Sequence, residues 1–281
     1  MNDDGATHLR TQLANAPMIV APFVYDGLQA KIAAAAGFQA VYMTGFGTAA
    51  ARGYPDIGLL TMSEMVDSVR TIAAAVDVPV ICDADTGYGN PLNVMRTVRE
   101  YERAGAAALH IEDQTWPKRC GFLAGKQVIP MPEMVAKVRA ACDARRDPAL
   151  VIIARTDALQ VYGWDEAESR ARAYREAGAD MVFVDGIATV EDLETYARRL
   201  ADLPRVYNGV LLPLPELARR GFRVTIHPGS LAVVYAALRD AMAELLSTGT
   251  IGAAGDPTAF AELFRLLGVP QALELAQRYD S

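Results

Sequence analysis

The sequence predicts a (β/α)8 barrel of the TIM type, and three observations carry that prediction. One phrase recurs four times, as AAGFQAVYMTG (35–45), RAGAAALHIED (103–113), EAGADMVFVDG (176–186) and RRGFRVTIHPG (219–229). Each copy joins a helix tail and a Gly suited to a left-handed helix stop to a short apolar strand ending in a polar residue. The four glycines, 37, 105, 178 and 221, are spaced by 68, 73 and 43 residues. A βα unit takes about 30 residues or slightly more, so the first two intervals each hold one further strand and helix. The strands are near-continuous apolar runs, as in a parallel sheet covered by helices.

The elements follow in order. PMIVAP (17–22) is the first strand, and VYMTG (41–45) ends the second. VPVICDAD (78–85), LHIED (109–113) and LVIIARTD (150–157) are the third to fifth; MVFVDG (181–186), RVYN (205–208) and the strand ending at His227 complete eight. SEMVDSVRTIAAA, LNVMRTVREYERA, MPEMVAKVRAACDARR and DEAESRARAYREA supply amphipathic helices between them. Eight units in this length argue for closure. A doubly wound open sheet is the runner-up, disfavoured because no Gly-x-Gly-x-x-Gly turn follows the first strand. The chain is expected to be one barrel domain over 1–281. An N-terminal segment (1–16) precedes the barrel, and a helical extension (231–281), broken at TGTIGAAGDP, follows it.

Composition sets the limits on function. At 281 residues, 52% hydrophobic and 22% charged, the chain can bury a large core. The net charge of −7, with no Lys/Arg run, argues against nucleic acid and against an anionic membrane surface as partners. The longest uncharged stretch, 32–51, is cut by Gly37, Gly45 and Gly47 and does not read as a membrane span. MNDDGATHLR lacks the basic and apolar regions of a signal peptide. Cys82, Cys120 and Cys142 are odd in number and far apart, so a cytoplasmic location is expected.

In such barrels the chemistry sits at the C-terminal strand ends. There the sequence places Tyr42, Thr44, Gly45, Asp83, Asp85, His110, Glu112, Asp113, Arg155, Asp157, Asp185, Asn208 and His227. Alternation along a strand would aim Asp83 and Asp85 at one spot. Two carboxylates that close favour a hard cation with oxygen ligands, most simply Mg²⁺, with Mn²⁺ equally suited. One exposed Asp and one helix cap is the alternative account. The segment WPKRCGFLAGK (116–126) is long for a βα loop, as lids are. In it Cys120 follows two cations that would favour its thiolate, and Gly121 and Gly125 could serve as hinges. Taken alone, a surface loop with an incidental thiol is the simpler account. His227 reads more simply as a satisfied structural residue than as a site residue.

These motifs resemble one family. VYMTG (41–45), GYPD (53–56), DADTGYG (83–89), LHIEDQ (109–114), KRCG (118–121) and ARTDA (154–158) are similar, in order, to motifs of the isocitrate lyase and phosphoenolpyruvate mutase superfamily. The resemblance implies a (β/α)8 barrel using Mg²⁺, often a homotetramer whose C-terminal helices swap between subunits. It implies substrate binding by Thr44, Gly45, Phe46, Gly121, Arg155, Asp185 and Asn208. It implies metal binding by Asp83 and Asp85, with Asp56 and Glu112 acting through water. Cys120 matches the catalytic Cys of the lyase branch, with Lys118 and Arg119 beside it; Tyr42 is the implied base, and His110 joins it.

The implied reaction splits a small 2-hydroxy acid into a 2-oxo acid and a carboxylate, with Cys120 as general acid. Departures from the pattern point to a substrate smaller or more apolar than isocitrate, such as an alkyl-substituted malate. Phe122 stands where isocitrate and methylisocitrate lyases carry His, and Asp185 where many members have Glu. Gly209, Val210 and Leu211 replace polar side chains after Asn208. Oxaloacetate decarboxylation or hydrolysis and phosphonopyruvate chemistry are the alternatives on the same scaffold. A non-catalytic binding protein is the alternative of another class.

Overall fold

The computed structural model describes residues 5–121, 123–252 and 256–279; Phe122 lies outside them. The chain runs α1 (Gly5–Asn15), β1 (Ile19–Val24), α2 (Gly27–Ala35), β2 (Val41–Met43), α3 (Gly45–Ala51), α4 (Met62–Ala75), β3 (Val80–Asp83) and α5 (Pro91–Arg103). It continues through β4 (Ala108–Glu112), α6 (Met131–Ala144), β5 (Val151–Thr156), α7 (Leu159–Tyr162), α8 (Trp164–Glu176), β6 (Met181–Val184) and α9 (Val190–Arg199). It ends with β7 (Arg205–Asn208), α10 (Leu214–Arg219), β8 (Val224–His227), α11 (Gly229–Thr248), α12 (Pro257–Leu266) and α13 (Val269–Gln277). All eight strands pair in parallel, in chain order, and β1 closes on β8.

Local chemistry fixes the elements. The repeated glycines 37, 105, 178 and 221 all adopt positive φ, the helix stop that a side chain would strain. Thr61 and Glu64 form a capping box at α4, and Asn90 and Asn93 form one at α5. Inside the barrel, Ile19, Ala21, Phe23, Ile81, Val151, Ile153, Met181, Phe183, Val224 and Ile226 interdigitate. Outer layers pack the strands against α4–α6 on one side and α8–α10 on the other.

Both terminal regions are helical. In the N-terminal segment Gly5–Asn15 form a helix, with Leu9 and Leu13 packed into the inner barrel cluster. Its Arg10 donates to the Ala149 carbonyl and pairs with Asp180. His8, without an evident partner in the sequence, lies 3.0 Å from the Gln12 amide nitrogen. At the other end, the helical extension has a second break after TGTIGAAGDP, at Gly268, which takes φ +77°. No residue of α11, α12 or α13 is buried. Among the described residues, no helix is long and apolar enough to cross a membrane.

Candidate active site

Register builds the mouth of the barrel. Asp83 on β3 lies beside His110 on β4, Glu112 beside Arg155 on β5, and Arg155 beside Phe183 on β6. Asp83 is fixed by main chain: Gly45 N–H donates to its Oδ2 at 3.1 Å and Asp85 N–H to its Oδ1 at 3.0 Å. A Cβ on Gly45 would stand 2.6 Å from that Oδ2, so only Gly admits the contact. Tyr101 on α5 holds the Asp83 carbonyl at 2.9 Å, and Tyr88 in turn meets the Tyr101 hydroxyl. Strand alternation does not orient Asp85, because β3 ends at Asp83. Asp85 sits in the following turn with φ +46°, a left-handed conformation uncommon for a residue with a side chain.

The loop after β4 folds over this mouth. Its stem is a short ribbon: Ile129 N–H donates to the Asp113 carbonyl, Thr115 N–H to the Gln127 carbonyl, and Gln114 bridges Val128. The Gln114 side chain then grips Arg119 at both main-chain groups, accepting its N–H at 3.0 Å and donating to its carbonyl at 2.8 Å. The same amide donates to Glu112 Oε1 at 2.9 Å. Lys118 turns inward, pairing with Asp56 and, at 2.9 Å, with Asp85 Oδ1. Cys120 is buried, and its N–H donates to the Asp56 carbonyl at 3.0 Å. Gly121 presses against Asp185 and Arg155, where a Cβ would lie 2.2 Å from Asp185 Oδ2.

Arg155 organises the opposite side. Its Nε and Nη2 donate to the two oxygens of Asp157, each at 2.9 Å, and Nη2 also donates to Asp185 at 2.8 Å. Glu112 Oε2 lies 3.2 Å from Nε, and the guanidinium covers the Phe183 ring at 5.1 Å. Among the described residues, Nη1 has no hydrogen-bond partner. Lys126, from the loop stem, reaches the same two acids, Asp157 at 2.6 Å and Asp185 at 3.4 Å.

Burial sets the protonation states. It pushes the Asp85 carboxyl up to about 6 against the pull of Lys118, with Asp83 and Asp56 adding to the rise. Burial also raises Glu112 well above the usual range. Asp83 is held low although burial opposes it; Lys118 and Arg155 supply the pull at neutral pH, since burial itself holds His110 uncharged, its pKa lowered to about 4. Burial and the nearby Asp83 keep the Tyr42 phenol protonated, and its hydroxyl lies 2.7 Å from His110 Nε2.

Six carboxylates, Asp56, Asp83, Asp85, Glu112, Asp157 and Asp185, stand against three cations, Lys118, Lys126 and Arg155. Asp85 Oδ1 is buried, and Lys118 Nζ at 2.9 Å is its partner among the described residues. Such an all-oxygen, over-negative set suits a hard divalent cation. Among the described residues, no three His, Cys, Asp or Glu side chains converge enough to ligate an ion by themselves, so water would complete its shell.

Not every residue singled out in the sequence joins this cluster. Arg119 points outward and binds the Ala124 carbonyl of its own loop, because alternation in the extended segment sends Lys118 and Cys120 in and Arg119 out. Thr44 caps α3 by accepting Gly47 N–H, and Phe46 is half-buried in the first turn of that helix. His227 Nδ1 accepts Gly229 N–H at 3.3 Å at the start of α11. Asn208 lies at the end of β7 with its Oδ1 buried and without a hydrogen-bond partner among the described residues. Cys82 packs within β3 and Cys142 against Gly178. Gln114 and Lys126 were not singled out, although both lie inside motifs that were. Their contacts with Glu112 and with Asp157 and Asp185 exist only once the loop has folded back.

Comparison with known proteins agrees with this geometry. The phosphoenolpyruvate phosphomutase family model matches residues 9–246. The chain is 42% identical to 2,3-dimethylmalate lyase of Eubacterium barkeri, covering 98% of each chain. It is also 42% identical to 2-methylisocitrate lyase of Aeropyrum pernix, over 78% of this chain and 72% of that one. The structure of oxaloacetate acetylhydrolase in complex with 3,3-difluorooxalacetate superposes with a TM-score of 0.92 at 38% identity, covering 99% of this chain and 98% of that one. The chain belongs to the phosphoenolpyruvate mutase/isocitrate lyase superfamily and is a carbon–carbon lyase of that group.

Proposed function

We propose that the enzyme cleaves a small 2-hydroxy dicarboxylic acid of the alkylmalate type into a 2-oxo acid and a carboxylate, with Cys120 as general acid. The observation that carries this reading is Cys120 itself, buried two residues after the inward-turned Lys118, with its N–H held by the Asp56 carbonyl at 3.0 Å. The near full-length likeness to 2,3-dimethylmalate lyase supports the substrate class.

Asp83 and Asp85 would hold Mg²⁺, or Mn²⁺, with Asp56 and Glu112 taking its bound water. The ion, when bound, supplies Lewis-acid pull on the oxygens of the 2-oxo acid product. Arg155 takes a substrate carboxylate through Nη1. The 2-hydroxyl proton passes to Tyr42 Oη as the Tyr42 proton passes to His110 Nε2. The neighbouring carbon–carbon bond breaks, and its electron pair stays with the carboxylate fragment. The Cys120 thiol delivers a proton to that carbon. The closed loop keeps out water that would quench the carbanion. A thiol in this role must stay reduced, which fits a cytoplasmic enzyme.

The test is 2-oxo acid release from substituted malates, isocitrate, methylisocitrate, oxaloacetate and phosphonopyruvate with Mg²⁺, wild type beside Cys120→Ser. An alkylmalate should be cleaved, and Cys120→Ser should lose about 10²–10⁴-fold in kcat. The close superposition on oxaloacetate acetylhydrolase favours a second reading, carbon–carbon cleavage of oxaloacetate by water. Oxaloacetate turnover that survives Cys120→Ser would establish it and overturn the first.

The C-terminal arm carries a second part of the proposal. Val233, Leu238, Met242, Phe260 and Phe264 are exposed on helices in which no residue is buried by their own chain. A second copy of the chain is the partner we assign to them, in a homotetramer with exchanged helices. Light scattering should report about four chains per particle; a monomer at working concentration would overturn this.

A further inference from the structure

We propose that Lys126 is a positioning residue for substrate binding, the cation that leaves Arg155 able to take a carboxylate. The inference rests on the reading of Arg155 as the carboxylate anchor. Arg155 already faces Asp157, Asp185 and Glu112. Three acids around one guanidinium would saturate it and repel an arriving anion.

Lys126 changes that balance. Its ammonium is buried and, among the described residues, pairs with Asp157 Oδ1 and Asp185 Oδ2 alone. Both acids also bind Arg155, so the two cations and two acids alternate in a neutral ring. Asp185 is thereby shared between Lys126 and Arg155. Arg155 keeps Nη1 uncommitted, with its ring-facing side on Phe183. Lys126 lies next to the paired stem of the loop, where Gln127 accepts Thr115 N–H, rather than at the tip that carries Cys120. It acts on binding through Arg155 and has no contact with the reacting centre.

The experiment is calorimetric titration of the full-length protein with oxalate in Mg²⁺, alongside steady-state kinetics on the hydroxy acid it cleaves. Lys126→Met should bind oxalate about tenfold or more weakly and raise KM by a similar factor, with kcat within about threefold. Lys126→Arg should stay near wild type. Asp185→Asn should bind oxalate at least as tightly as wild type. Adding Asp185→Asn to Lys126→Met should recover most of the lost affinity, which a merely structural lysine would not allow. If Lys126→Met alone does not fold, the charge-balanced double variant against Asp185→Asn carries the same test.

Oxalate binding unchanged in Lys126→Met, or a loss confined to kcat, would overturn the inference. So would a double variant no better than the single one. Wild type that fails to bind oxalate would instead overturn the carboxylate-anchor reading, and this inference with it.

Discussion

The two halves of the barrel mouth are built from the same residue types and differ in charge balance. On the β3–β4 side, Asp56, Asp83, Asp85 and Glu112 surround a single ammonium, Lys118. On the β5–β6 side, Asp157 and Asp185 are matched by Arg155 and Lys126. The first half is short of positive charge, and burial responds by lifting the Asp85 and Glu112 carboxyls. The second half is balanced and keeps an arginine edge uncommitted. One half is suited to a cation and the other to an anion, and a chelating hydroxy or oxo acid has groups for both. The halves meet where the Glu112 carboxylate approaches Arg155, and the loop lies over both.

The largest expected effect comes from relieving the over-negative half. Asp85→Asn removes a buried like charge, so the metal-free protein should be no less stable, and its melting temperature should equal or exceed that of wild type. Turnover should still fall about hundredfold or more, because an amide is a poor ligand for a hard cation. Mg²⁺ should raise the melting temperature of wild type and leave that of the variant unchanged. A variant that loses both stability and Mg²⁺ response in proportion would mean that Asp85 serves the fold and not a cation.

Gly121→Ala tests the join between the halves. Gly121 does not have positive φ, so the backbone tolerates a side chain. The closed position does not, since the new Cβ would stand 2.2 Å from Asp185 Oδ2 and 3.0 Å from Arg155 Nη2. The tip should lift and carry Lys118 and Cys120 away from the mouth. We expect kcat to drop about 10–100-fold with the melting temperature within about 2 °C of wild type. Faster alkylation of Cys120 in the variant would report the lifted tip directly; unchanged kinetics would mean that the tip does not need to dock on Asp185.

How much of this was legible in the sequence depends on the range of the interaction. The eight strands were legible because each is a short apolar run and every second one follows a helix-stop glycine, both local signals. Asp83, Glu112, Arg155 and Asp185 were placed by being at strand ends. Asp85 was placed at the mouth for a reason that does not hold, since its direction comes from a left-handed turn and not from strand alternation. Arg119 stands beside two inward residues in sequence, yet its side chain leaves the site. The N-terminal helix offered Leu9 and Leu13 one turn apart, a pattern too short to tell from a tail. Lys126 and Gln114 act across 59 residues to Asp185 and within the refolded loop, and no spacing rule reports such contacts.

The smallest expected effect is in the balanced half and appears as a pH dependence of stability. Burial tends to raise the Asp157 carboxyl, but Arg155 and Lys126 outweigh it and hold it below the ordinary 3.8. A carboxyl with a folded value below its unfolded one adds stability that is complete above about pH 4. That stability is lost as pH falls toward the folded value. Asp157→Asn keeps the shape and an acceptor oxygen but not the charge. Denaturant unfolding should therefore show the variant about 1–2 kcal/mol less stable than wild type at pH 7. The gap should hold to about pH 5 and close between pH 4 and pH 2, as wild type gives up the contribution the variant never had. A gap that stays constant through the acid range would mean that Asp157 stabilises by packing and hydrogen bonding alone. The charge balance of this half would then have to be carried by Asp185.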